Sequence, residues 1–62
     1  MVDMGALVGT FRRFGLFGPT YEVIGAGSPG SSGEPRLRVR VLESGEELDY
    51  GVERIIADPV ED

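Results

Sequence analysis

Arg36-Leu37-Arg38-Val39-Arg40-Val41-Leu42-Glu43-Ser44-Gly45-Glu46-Glu47-Leu48-Asp49-Tyr50 is the stretch that decides the fold. From Arg36 to Val41 the residues alternate without a break, Leu37, Val39 and Val41 on one side and Arg36, Arg38 and Arg40 on the other. A period of two is the signature of a half-buried strand. A two-residue turn at Ser44-Gly45 sends the chain back antiparallel, Gly45 being the residue that best tolerates positive φ. That turn pairs Val41 with Leu48, Arg40 with Asp49 and Val39 with Tyr50. It also sets Leu42 beside Glu47 and leaves Glu43 facing Glu46, a small cost. Apolar falls beside apolar and Arg beside Asp, an arrangement that a one-residue slip would undo.

Working outward, Leu7 to Phe14 reads as a strand with mixed faces, bent at Gly9. Gly15-Leu16-Phe17-Gly18-Pro19 then reads as a five-residue hairpin connection. Thr20 to Gly25 forms the second strand, with Tyr21 and Val23 on one face. Residues 25–35, GAGSPGSSGEP, hold too many Gly, Ser and Pro for a packed core and read as a flexible surface loop inside the domain. Beyond Tyr50 the period changes. Val52, Ile55 and Ile56 fall at i, i+3 and i+4, one apolar stripe on a helix that stops near Asp58, before Pro59. A helix this short does not persist alone in water, so Ile55 and Ile56 must cover the sheet.

The 62 residues therefore predict one small, mostly β (α+β) domain over residues 1–62. Its architecture is a curled four-stranded antiparallel sheet or partial SH3-like barrel with a short C-terminal helix. The expected core is Leu7 or Val8, Phe11, Phe14, Tyr21, Val23, Leu37, Val39, Val41, Leu48, Tyr50, Val52, Ile55 and Ile56.

Composition removes most chemistry. Without cysteine there are no disulfides or thiolate metal sites, and without histidine the usual proton shuttle and commonest metal ligand are missing. Lysine is absent too, so serine has no side-chain base of the customary kinds to activate it. Glu47 and Asp49 share a strand face opposite Leu48, but so short a chain is expected to form no pocket of about 300 Å³ for a substrate. Glu43, Glu46, Glu47 and Asp49 lack the dense oxygen-ligand spacing of a calcium loop. Gly25-Ala26-Gly27-Ser28-Pro29-Gly30 lacks the Gly-Lys-Ser/Thr of a phosphate loop. The expectation is no enzyme, no cofactor, no metal and no small-molecule substrate. The first eleven residues carry Asp3 instead of a basic leader and end at Arg12-Arg13, too short to span a bilayer. A cytoplasmic location without membrane attachment is expected.

What remains is interaction. The net charge of -5 is unevenly spread: five Arg face three carboxylates up to Val41, and Arg54 faces eight thereafter. An acidic total disfavours nonspecific polyanion binding. The candidate partner surface is Arg36, Arg38 and Arg40, extended by Arg12, together with Phe17 at a loop tip. Its leading reading is a noncatalytic protein-interaction or regulatory module whose sheet edges take a protein partner or a second copy. One alternative is a small nucleic-acid-binding protein using the arginine-lined strand face. Another is a purely structural or accessory subunit. Arg13-Phe14-Gly15, Gly18-Pro19, Tyr21-Glu22-Val23-Ile24, Val39-x-Val41-x-Glu43-x-Gly45-Glu46-Glu47-x-x-Tyr50 and Ile56-x-Asp58-Pro59 together resemble a family of very small uncharacterised prokaryotic proteins, a single mostly-β domain of unknown function. The resemblance covers roughly Val8 to Pro59 and implies a bacterial or archaeal source, with no catalytic or ligand residue to carry over.

Overall fold

The structure is a computed structural model and describes residues 4–61. Asp3, which argued against a leader, lies outside the described residues. Along the chain come α1 (Met4–Leu7), β1 (Phe11–Arg13), β2 (Thr20–Ala26), β3 (Arg36–Val41), β4 (Glu47–Gly51) and α2 (Val52–Ala57). The four strands form one antiparallel sheet in the order β1-β2-β3-β4.

That sheet is open. The expected curled sheet or partial SH3-like barrel is not what forms, and the hydrogen bonds of β1 give the reason. Its outer edge is taken by the residues after α2: Arg13 N–H donates to the Pro59 carbonyl (3.1 Å) and Glu61 N–H to that of Phe11 (2.8 Å). Arg12 and Val60 form the bridge between them. With that edge occupied, β4 has no strand on which to close.

The β3–β4 hairpin keeps its predicted faces but not its register. Leu37 pairs with Tyr50, Arg38 with Asp49, Val39 with Leu48 and Arg40 with Glu47. This differs by two residues from the register expected of a Ser44-Gly45 turn. A wider loop closes instead: Gly45 N–H, at φ 75°, donates to the Val41 carbonyl (2.7 Å), and Val41 N–H to that of Glu46 (2.8 Å). The longer loop frees Glu43 from Glu46 and gives both Arg38 and Arg40 an acidic partner across the ladder. A shift of two leaves every side chain on its original face.

The N-terminal segment departs further. In place of one strand from Leu7 to Phe14 there is a single helical turn ending at Leu7, whose carbonyl accepts the Thr10 hydroxyl at 2.6 Å. Gly9, at φ 90°, and Thr10 then lie together opposite Val23: Gly9 N–H donates to the Val23 carbonyl (2.7 Å) and Val23 N–H to that of Thr10 (3.0 Å). This two-against-one pairing is a glycine bulge. A second bulge at Ile24 interrupts β2, where Val23 faces Val39 but Gly25 faces Arg38.

Leu7, Tyr21, Val23, Leu37, Val39, Val52 and Ile55 are the buried core, with Phe14, Leu48 and Tyr50 packed against it. Of the pair Leu7 or Val8 it is Leu7 that is buried, and three expected core positions differ: Phe11 and Ile56 are exposed, and Val41 is only half-buried. Phe11 stands opposite Glu22, on the sheet face turned away from α2. The stripe on α2 is narrower than its sequence suggests, because two turns of helix cannot bring Ile55 and Ile56 onto the same flat sheet.

The connection from β2 to β3 has its own hydrogen bonds. Arg36 donates through Nε to the Ser28 carbonyl (2.7 Å), and Gly30 and Glu34 close a turn (2.9 Å). At Gly27 a Cβ would stand 2.9 Å from the Leu37 carbonyl carbon, so only glycine passes there without a shift of backbone.

Candidate functional site

The three arginines of β3 do share the exposed sheet face, and each meets a carboxylate supplied by a neighbouring strand. Arg40 reaches Glu22 of β2 at 3.0 Å. Arg38 reaches Glu47 (3.4 Å) and Asp49 (3.3 Å) of β4, and Arg36 lies 3.9 Å from Asp49. Partly exposed pairs of this kind stabilise by about 0.2–1 kcal/mol each. Their larger consequence is electrical. Three cations interleave with three anions, so the face carries none of the net positive field that phosphate binding draws on.

Arg12 lies on the other face. Paired with Tyr21 in the ladder, it points toward α2 and donates through Nη1 to the carbonyls of Ile55 (2.9 Å) and Asp58 (3.4 Å). It thereby caps the last turn of the helix, where a cation also suits the helix dipole. Arg13 occupies the stripe's side and forms a two-pronged pair with Glu61, both bonds 3.0 Å. That contact raises the Arg13 pKa and lowers that of Glu61.

Phe17 stands at the β1–β2 hairpin tip with 95% of its surface exposed, beside Leu16 at 75%. The loop under them is tied down. Gly18 N–H donates to the Phe14 carbonyl (2.9 Å) and Phe14 N–H to that of Pro19 (3.1 Å), while Gly15 takes φ 64°. Asp58, just past α2, accepts Gly15 N–H on Oδ1 (3.1 Å) and the Tyr21 hydroxyl on Oδ2 (2.7 Å). Burial, and then the Asp58 bond, push the Tyr21 phenol well above its ordinary value of 10.0. Phe14 meets Tyr21 at 4.3 Å between ring centroids and Tyr50 edge-on at 5.1 Å, which holds the hairpin against the core. Leu42, also exposed, lies at this end of the sheet, its N–H donating to the Thr20 carbonyl (3.1 Å).

At the opposite end lies an open cavity of about 410 Å³, larger than so short a chain was expected to form. Pro35, Tyr50 and Val52 supply apolar surface, with Glu34, Glu53 and Arg54 among its polar lining. The sequence reading missed both this cavity and the role of Asp58, which it used only as a helix stop. Among the described residues no group of three His, Cys, Asp or Glu side chains is placed to hold a metal ion. No helix of the described residues is long and apolar enough to cross a membrane.

These features define a small open-sheet β domain with one face packed under a short C-terminal helix, the other face charge-balanced, and an exposed apolar tip on a hydrogen-bonded hairpin loop. The chain belongs to DUF5397, a family of unknown function whose model matches residues 2–62. No curated protein matches it.

Proposed function

We propose that the protein is a noncatalytic interaction domain of the prokaryotic cytoplasm that engages a protein partner through its β1–β2 hairpin tip. The observation that carries this reading is the exposure of Leu16 and Phe17 on a loop already fixed by Asp58, Phe14 and Pro19. Two adjacent large apolar side chains held in water on an ordered loop have no role in the core of this chain. An aromatic anchor presented without loss of loop entropy is what protein interfaces use at their centres. Pairing of Arg36, Arg38 and Arg40 with carboxylates weighs against the nucleic-acid alternative.

The test places a photo-cross-linking phenylalanine analogue at position 17 and measures the affinity of each captured protein directly. A partner contacted by the tip, a second copy included, should lose about tenfold or more in affinity on Phe17→Ser. Unchanged affinity for every captured protein would remove the reading.

A further inference from the structure

The two edges of the sheet are treated differently. The outer edge of β1 is occupied by the chain's own residues Pro59 to Glu61. Strand β4 is the last in the sheet, paired only with β3. The bonds Val41 N–H to Glu46 and Val52 N–H to Pro35 (3.1 Å) fix the ladder's alternation. Leu48 and Tyr50 bond inward to β3, while the N–H and C=O groups of Glu47 and Asp49 point away from it.

Side chains on this edge select what can add to it. Glu47 and Asp49 project on one face, Leu48 and Tyr50 on the other. A second copy of β4 added antiparallel would set carboxylate against carboxylate, so the edge does not suit itself. The cavity begins where this edge ends, and Asp49, Tyr50 and Gly51 are among its walls. Its three carboxylates outnumber its two arginines, Arg36 and Arg54; Asp49 is paired with arginine and Glu34 accepts the Ser32 N–H (3.0 Å), whereas Glu53 makes no ion pair among the described residues. Apolar walls from Pro35, Tyr50 and Val52 beside this net negative lining suit a side chain with an aliphatic stem and a cationic end. The net charge of -5 favours the same partner at long range.

We infer that β4 accepts an extended peptide segment of alternating basic and apolar residues as a fifth strand, with a basic side chain at one end seated in the Pro35–Tyr50–Val52 cavity. Main-chain bonds to Glu47 and Asp49 supply the binding, and arginine or lysine opposite those two carboxylates supplies the selection. This specifies the partner class for the interaction reading but uses a different surface from the hairpin tip.

A short synthetic peptide of alternating arginine and valine is titrated into the full chain. Amide hydrogen exchange is followed by NMR, alongside a peptide of the same composition with its arginines grouped together. The expected result is slowed exchange at the Glu47 and Asp49 amides, and affinity about tenfold above that of the grouped peptide. Glu47→Pro removes an outward N–H without breaking a ladder bond to β3, losing only the exposed Arg38–Glu47 pair, and it should abolish the slowing at the Asp49 amide while the thermal melt stays cooperative. Phe17→Ser should leave peptide binding unchanged, so this inference and the hairpin-tip reading fail separately. Equal binding of the two peptides, unaltered exchange at Glu47 and Asp49, or slowed exchange at those amides without peptide in a sedimenting dimer would each overturn it.

Discussion

Ile55 and Ile56 are chemically identical neighbours on α2, and the fold makes their truncation to alanine differ several-fold. Ile55 is fully buried against the sheet, whereas Ile56 keeps 45% of its surface in water. Truncating Ile55 removes three carbons from the core, about 2.4 kcal/mol at ~0.8 kcal/mol for each. The residual cavity adds to that, and measured costs for buried Ile→Ala run about 2–5 kcal/mol. Whole domains of this size are stable by roughly 3–9 kcal/mol, scaling ~0.05–0.15 kcal/mol per residue. Ile55→Ala therefore removes a large fraction of the stability. For Ile56→Ala the lost contacts are smaller, and alanine's better helix propensity returns about 0.4 kcal/mol, leaving a net change below ~1 kcal/mol. Urea unfolding of both variants, followed by circular dichroism with a shared m-value, reads the difference directly. Equal losses from the two, or a loss under about 1 kcal/mol for Ile55→Ala, would mean that α2 is not seated on the sheet as described.

Gly18→Ala should be the most damaging change in the hairpin tip, because a Cβ there runs into the Phe14 carbonyl; a loss of about 1–3 kcal/mol, measured in urea, is expected. Tyr21→Phe, which deletes the hydroxyl on Asp58, should cost about 1–3 kcal/mol at neutral pH in the same assay. The phenol's pKa is raised on folding, so its contribution is fully present below pH 10.0, the unfolded value, and is lost as pH rises beyond it. Wild-type stability should accordingly fall above that pH and that of Tyr21→Phe should fall less, as read by melts paired with tyrosinate absorbance. Deleting residues 59–62 uncovers the edge of β1 and removes the Arg13–Glu61 pair, so sedimentation should show stronger concentration-dependent association than that of the full chain.

The sheet was legible where side chains alternate strictly. RLRVRV states its two faces in the sequence, and the core residues Leu37, Val39, Tyr21 and Val23 follow from period two alone. Register was not so fixed. Either loop length keeps aliphatic beside aliphatic, and only the Glu43–Glu46 repulsion and a carboxylate for each arginine separate them. The N-terminal segment was misread for a related reason. Leu7 and Phe11 carry apolar surface that suits a strand, but Gly9 at positive φ lets the chain turn out of a helical turn and into the sheet within three residues. The sheet stays open because the last residues return to β1, a contact between opposite ends of the chain that leaves no local pattern.

For the candidate site, a sequence shows a stripe but not its neutralisation. Three arginines at every second position read as a basic surface until the adjacent strands bring Glu22, Glu47 and Asp49 into the gaps. The same pairing explains why β4 can keep a bare edge. Glu47 and Asp49 offset the arginines of β3 on one side, and on the other they turn away any strand as acidic as β4 itself. An edge strand rich in unpaired aliphatics would recruit indiscriminately, and one rich in unpaired carboxylates would weaken the sheet it ends. By drawing its carboxylates into ion pairs with β3 while leaving its outward amides free, β4 stays compatible with a stable fold and open to a basic partner. The hairpin tip obeys the same logic at the other end of the molecule, where Asp58 takes up the loop's N–H and the Tyr21 hydroxyl so that Leu16 and Phe17 can remain in water without loosening the core.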